Sequence, residues 1–239
     1  FFCCNEKHMT EIAARLEAAG KEYKTGESTI VALQPTTTEF RKGEITLIVG
    51  PSGSGKTTLL SLLGCVIYPT MGKVWVGDTR VNDLPERELA QLRLRRIGFV
   101  FQGFNLLAPL NALENVMHPL LLQGVSRRDA RKQAMELIHT FGMQERIHNL
   151  PRNLSGGQQQ RIAIARSLIT DPQLILCDEP TASLDHNSAK MVMDMLSQLS
   201  LENRAVIVVT HDVRLKKYAD RTIYVSEGMI SDTAIEEEF

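Results

Sequence analysis

Glu44-Ile45-Thr46-Leu47-Ile48-Val49 runs straight into Gly50-Pro51-Ser52-Gly53-Ser54-Gly55-Lys56-Thr57-Thr58, and Leu59-Leu60-Ser61-Leu62-Leu63 follows at once. The first run lacks the strict alternation of a half-exposed strand and fits one buried on both faces of a parallel sheet. From Lys56 to Val66 the apolar residues Leu59, Leu60, Leu62, Leu63 and Val66 recur on a helical period. The segment between fits G-x-x-x-x-G-K-[ST], the loop that cradles a nucleotide's phosphates between a strand and a helix. Its glycines let backbone N–H groups turn inward around an anion, and the helix start adds the positive end of its dipole. Lys56 supplies a mobile cation for the β- and γ-phosphates, and Thr57 a hydroxyl ligand for Mg²⁺.

Two more apolar runs end in chemistry. Leu174 to Cys177 leads into Asp178-Glu179, and Ala205 to Val209 into Thr210-His211. In open α/β sheets ligands sit beyond the carboxyl ends of the strands, so three such ends predict one site. Adjacent acids at a buried strand end are costly without partners, and a metal with its water accounts for both. Asp178 then serves Mg²⁺, while Glu179 orients and deprotonates a water for attack on the γ-phosphorus. The plainer alternative is a solvated strand end. A lone histidine is more often structural, yet His211 stands where the third core strand delivers it to the phosphates.

Leu154-Ser155-Gly156-Gly157-Gln158 precedes a helix read from Gln159 to Ile169. Serine, glycines and a helix start form a second anion cradle, although alone they are equally a helix cap with a flexible lead. Ser126 and Asp129 open another helix, with Ala130, Ala134, Leu137, Ile138 and Phe141 on one face and Gly142 as its stop. Asn111 to Gln123 reads as a further helix, so Phe104 to Leu154 is an α-rich insertion. Thr29–Leu33, Thr36–Phe40 and Lys73–Val76 have β character and predict a small antiparallel sheet. Thr222 to Ser226, Glu227-Gly228 and Met229-Ile230 predict a hairpin.

The bulk properties narrow the field. With 43% hydrophobic and 23% charged residues the chain is an ordinary globular protein. A net charge of -1 offers no field for phosphodiester backbones, so nucleic acid is not expected as a partner. The longest apolar stretch, Leu59 to Tyr68, is interrupted and far short of the ~20 residues of a bilayer span. Cys3, Cys4, Cys65 and Cys177 have neither metal-site nor disulfide-ladder spacing, which points to reducing cytosol. Phe1 to His8 lacks the form of a secretory signal, and Met9 is read as the natural start.

Taken in order, these motifs resemble the ATP-binding-cassette ATPase family over nearly the whole chain. Its Walker A is matched by Gly50 to Thr57, its glutamine loop by Gln102, its signature by Leu154 to Gln158 and its Walker B by Leu174 to Asp178. Ala182-Ser183-Leu184-Asp185 matches the D-loop and His211 the switch histidine. The resemblance implies an α/β P-loop NTPase fold with a RecA-like core, an N-terminal antiparallel β subdomain and an inserted α-helical subdomain. It places an extension at 1–8 and a single domain at 9–239, with the core at 9–103 and 155–239 and the helical lobe at 104–154. It also implies a head-to-tail homodimer in which each ATP lies between the Walker A of one copy and the signature of the other.

Under that resemblance Tyr23 stacks on adenine and Gln102 reaches Mg²⁺. Ser155 and Gly157 grip the γ-phosphate across the dimer, with Gly156 and Gln158 beside them in the nucleotide-binding signature, Asp185 orders the facing site, and His211 holds the γ-phosphate. Glu179, His211 and Lys56 form the catalytic set; Thr57, Gln102 and Asp178 hold the metal. An edge strand ending near Tyr23 is implied where Glu11 to Ala19 reads locally as a helix. Cys177 and Ser183 depart slightly from the family pattern without touching a catalytic atom.

Arg95-Arg96-Ile97-Gly98-Phe99-Val100-Phe101-Gln102, Asn105-Leu106-Leu107, Glu114-Asn115-Val116 and Tyr23-Lys24-Thr25-Gly26-Glu27 are similar to the lipoprotein-releasing and macrolide-exporting branch. That branch implies two ATPase subunits beneath separate membrane permease subunits with extracytoplasmic domains, at the cytoplasmic face of the inner membrane. The apolar surface around Phe99 to Leu110 is the expected docking site. Cassettes that signal in cell division share these motifs. DNA-repair cassettes need a long coiled coil between Gln102 and Ser155, and translation-factor cassettes two copies per chain; both features are missing.

Overall fold

A computed structural model describes residues 11–26 and 28–233. The extension 1–8, Met9, Cys3 and Cys4 lie outside the described residues. Two long strands, β1 (Ile12–Thr25) and β2 (Ser28–Arg41), pair antiparallel. After β3 (Glu44–Val49) and α1 (Lys56–Leu63), β4 (Met71–Val76) and β5 (Thr79–Arg80) complete a sheet ordered β2-β1-β4-β5.

The beginning of this sheet corrects two expectations. Glu11 to Ala19 is not helical, and β1 is not an edge, since it hydrogen-bonds to both β2 and β4. Burial of Ala13, Ala14, Leu16 and Ala19 between neighbours overrides the helix preference of alanine and glutamate. Thr29–Leu33 and Thr36–Phe40 also prove to be one strand, with register shifts where Gln34 and Pro35 intervene.

Next come α2 (Glu86–Arg96), β6 (Ile97–Phe101), α3 (Ala112–Leu122), α4 (Arg127–Thr140), α5 (Gly156–Leu168) and β7 (Leu174–Asp178). Then α6 (His186–Leu201), β8 (Ala205–Thr210), β9 (Arg221–Ser226) and β10 (Met229–Ser231) end the fold. The second sheet runs β10-β9-β3-β8-β7-β6, parallel throughout except for the β9–β10 hairpin. Glu227 and Gly228 at its tip both have positive φ, 47° and 75°, as the predicted two-residue turn requires.

Strand side chains serve two cores. Ile45, Leu47, Ile175, Cys177, Val206 and Val208 face a cluster with α3, α4, α5 and α6. Ile48, Leu174, Leu176, Ile207 and Val209 face the other way, onto Leu59, Leu60, Leu62 and Leu63 of α1 and the antiparallel sheet beyond. Each fully buried leucine contributes about 1.5–3 kcal/mol, so α1 is pinned between two sheets.

Residues 104–154 hold α3, α4 and two short 3-10 turns. Asn111 and Glu114 cap α3 reciprocally. Ser126 caps α4, but the Asp129 carboxylate accepts from the Ser126 hydroxyl at 2.6 Å instead of from its backbone. Two helix bounds also move. α1 stops at Leu63, with Cys65 beyond it at φ 55°, and α5 begins at Gly156, three residues ahead of Gln159.

Candidate active site

In the β3–α1 loop, Gly53 and Gly55 are left-handed at φ 79° and 111°. Gly55 caps α1 without a side-chain bond, which leaves the first-turn N–H groups to an anion. A methyl at Gly55 would stand 2.4 Å from the Ala32 carbonyl, and one at Gly50 2.0 Å from that of Val225. Neither position admits a side chain. The β9–β10 turn braces the loop, with Gly228 N–H donating to the Ser54 carbonyl at 2.8 Å. Ser54 Oγ is buried without a partner, a polar atom of the cradle with bonding capacity to spare.

Lys56 is buried, and its ammonium donates to the carbonyls of Gly50 at 2.8 Å and Pro51 at 2.6 Å. Burial lowers its pKa, and Glu179 and Asp178 oppose that shift. Thr57 and Thr58 follow in the first turn of α1. At the end of β7 burial raises the pKa of Asp178, the Glu179 charge adds to the rise and Lys56 counters it. Two acids and one lysine thus share a desolvated corner with charge left for a cation. Among the described residues no group of three or more His, Cys, Asp or Glu side chains suits a metal alone. A cation beside Asp178 would take its other ligands from hydroxyl, amide, water and phosphate oxygens.

Glu179 has the uncommon φ of 48°, which turns its side chain toward the end of β8. There its carboxylate accepts from Thr210 Oγ1 at 3.0 Å and from His211 N–H at 3.1 Å, while His211 Nδ1 lies 2.7 Å away. Thr210 belongs to none of the motifs and yet holds Glu179 Oε2. Its signal is only its position one residue before His211, and its meaning depends on β7 and β8 being neighbours. Gln160, fully buried in α5, likewise went unassigned; its Nε2 donates to the Pro180 carbonyl at 2.9 Å, tying that helix to the loop after Glu179.

Among the described residues, the remaining expected ones are not hydrogen-bonded to this centre. Tyr23 is exposed near the end of β1, with Lys21 Nζ 5.2 Å from its ring centroid. Gln102 is exposed just past β6. Ser155 caps α5, accepting from Gln158 N–H at 3.4 Å while Gln158 Oε1 accepts from Ser155 N–H at 3.0 Å. A methyl at Gly157 would meet Ser188 Oγ at 2.8 Å. Asp185 caps α6 through Asn187 and Ser188, and the Ser188 hydroxyl and N–H hold its carboxyl below the usual range. Among the described residues no hydrogen bond joins Ser155–Gln158 to the phosphate loop of the same chain.

A buried strand, a glycine cradle with its lysine, a strand-end acid pair and a helix-capped dipole together define a P-loop nucleoside triphosphatase. The ABC transporter family model matches residues 33–182. The uncharacterised ABC transporter ATP-binding protein MJ0796 of Methanocaldococcus jannaschii is 43% identical over 221 residues, 90% of this chain and 94% of that one. An uncharacterised ABC transporter ATP-binding protein of Thermotoga maritima is 43% identical over 210 residues, 88% of this chain and 90% of its own. The macrolide export ATP-binding/permease protein MacB of Agrobacterium fabrum is 40% identical over 222 residues, 93% of this chain. The present chain spans only 34% of that longer relative. A dimeric structure of MJ0796 bound to ADP and Pi, described as a post-hydrolysis state, matches with a TM-score of 0.83 at 43% identity, covering 90% of this chain and 95% of that one. The chain belongs to the ABC transporter ATP-binding family. It binds ATP and hydrolyses it.

Proposed function

We propose that this ATPase powers export or extraction through a separate membrane permease, working as a homodimer that closes on ATP. The observation that carries the reading is the split of the phosphate-binding groups. Lys56, Asp178, Glu179 and His211 cluster on one side of the chain, while Ser155 to Gln158 are bonded to α5 and not to that cluster. A second copy, head to tail, brings its signature to the nucleotide of the first, as the dimeric cassettes of the relative suggest.

In this reading Gly50 to Thr58 wrap the phosphates, Lys56 neutralises them, Tyr23 stacks on adenine and Asp185 orders the partner's site. Thr57, Asp178 and Gln102 hold Mg²⁺, which when bound screens the phosphate charge. Glu179 takes a proton from the attacking water; oxygen joins the γ-phosphorus, and the bond to the β-phosphate oxygen breaks to leave ADP. His211 and Thr210 keep the carboxylate aimed. Closure of the two copies on ATP performs the work, each copy contributing its α/β core, 9–103 with 155–239, and its helical lobe, 104–154.

Among the described residues no helix is long and apolar enough to cross a membrane. A groove of about 600 Å³ between the core and the lobe is lined by Phe99, Phe101, Pro119 and Leu122, and Leu122 is 61% exposed. Of the surface expected around Phe99 to Leu110 only Phe99 and Phe101 line it, most of the rest coming from α2, α3 and α5, and we assign this groove to the permease at the cytoplasmic face of the membrane. The MacB relatives carry ATPase and permease in one name, which supports that partner. A photo-crosslinker at Leu122, activated in native membranes, is expected to join the chain to an integral membrane polypeptide. Adducts only with soluble proteins would sink the assignment.

A further inference from the structure

Phe104 and Asn105, directly after Gln102-Gly103, are both left-handed, with φ 60° and 47°. Residues other than glycine enter that region at a cost and persist there when their surroundings impose it. Two in succession need an external tie. Arg166, near the end of α5, provides it: Nη1 donates to the Asn105 carbonyl at 2.7 Å and Nη2 to the Phe104 carbonyl at 3.0 Å.

The tie is specific to a guanidinium. Burial depresses the Arg166 pKa, and among the described residues no carboxylate lies within ion-pair distance of it. Carbonyl dipoles alone meet its charge, so the fork is aimed at this turn and at nothing acidic. Farther along, Asn115 of α3 accepts from Leu107 N–H at 2.8 Å and donates to the carbonyls of Leu107 at 3.1 Å and Leu110 at 2.9 Å. The loop between core and lobe is thereby clamped from two helices. The Phe104 ring also lies near the opposite end of α5, where a methyl at Gly156 would stand 3.8 Å from Cζ.

We propose that Arg166 is a positioning residue for Gln102: by gripping the carbonyls of Phe104 and Asn105 it fixes where the glutamine side chain stands. The inference rests on the metal role proposed for Gln102. It ties that role to α5, whose other end carries the signature about 15 Å away at 1.5 Å per residue. Displacement of the signature helix then reaches the glutamine through a rigid fork.

The test uses the full chain carrying Arg166→Lys, which keeps the charge but cannot grip two carbonyls. With misplacement of one contact the expected fall in kcat is about tenfold, with the KM for ATP within about twofold. Hydrogen exchange of residues 103–107 is expected to quicken. Adding Asn105→Gly, which adopts the left-handed turn freely, should restore about half of the lost kcat or more. Unchanged kcat in Arg166→Lys overturns the proposal. So does a fall that glycine does not recover and that follows a lowered thermal midpoint, the mark of helix packing alone. Gln102→Ala separates the two readings: full activity there refutes the glutamine's role, while loss there with full activity in Arg166→Lys refutes only the latch.

Discussion

His211 Nδ1 stands 2.7 Å from Glu179 Oε1, the same oxygen that accepts the His211 backbone N–H, while Thr210 holds the other carboxylate oxygen. One carboxylate therefore takes three contacts from two consecutive residues of the neighbouring strand end. The left-handed backbone at Glu179 marks where the chain leaves β7, since an extended residue there would point its side chain to one face of the sheet and not across to the end of β8.

Glu179→Gln keeps the size of the side chain and removes its ability to take a proton. Turnover should fall about 100-fold or more, with ATP affinity close to that of the starting protein. Bound ATP then persists, and size-exclusion chromatography with ATP should show a dimer. Full hydrolysis with only monomer would contradict the role given to Glu179.

Lys56→Ala acts earlier. The ammonium already crosses the mouth of the cradle to two carbonyls, and phosphate oxygens replace them as acceptors. Its loss removes the only cation of the loop, so titration with a fluorescent ATP analogue should show affinity weakened about tenfold or more. Equal affinity in both proteins would refute the cradle as described.

Asp178→Asn is expected to trade function for stability. A carboxyl whose pKa is raised in the folded state favours folding in acid and loses that contribution as pH rises through the folded value. At pH 7 the ionised aspartate is thus a net burden, which asparagine removes. Without nucleotide the variant should melt higher, by about 2–4 °C for each kcal/mol gained, and the gap should close below about pH 4. Hydrolysis should be lost. A lower midpoint at neutral pH would show that the pairing with Lys56 outweighs desolvation.

Sequence made the centre readable because its signals are local. Ile45 to Val49 is apolar but for Thr46, the glycines stand at fixed offsets, and the helix read from Asn111 starts within one residue of α3. Where pairing partners lie far along the chain, the reading failed. β1 is rich in alanine and glutamate, and only the neighbours β2 and β4 make it a strand. Helix α2 buries Leu89 alone among its eleven residues, so no periodicity announced it. Thr210 and Arg166 acquire roles only once β8 adjoins β7 and α5 adjoins the loop after Gln102. Of the two readings of the Ser155 segment, the capping box is seen in its own chain, while the cradle belongs to the proposed dimer.

The buried thiols give a pH dependence unrelated to catalysis. Cys65 is 2% exposed, and burial pushes its pKa up to about 12, with the Arg93 guanidinium only partly opposing. Burial and the neighbouring Asp178 raise Cys177 as well. In the unfolded chain a thiol loses its proton near pH 8.5. Above that pH the unfolded state holds fewer protons than the folded one, so stability must fall as pH rises, by about 1.4 kcal/mol per pH unit for each such thiol. Urea unfolding from pH 8 to 10.5 should show this decline, shallower by about one proton's worth in Cys65→Ala. Removing sulfur leaves a small void that lowers stability by the same amount at every pH, so the slope alone isolates the titration. Parallel slopes for the two proteins would mean that Cys65 ionises in the folded state as readily as in the unfolded one, and that water reaches the turn after α1.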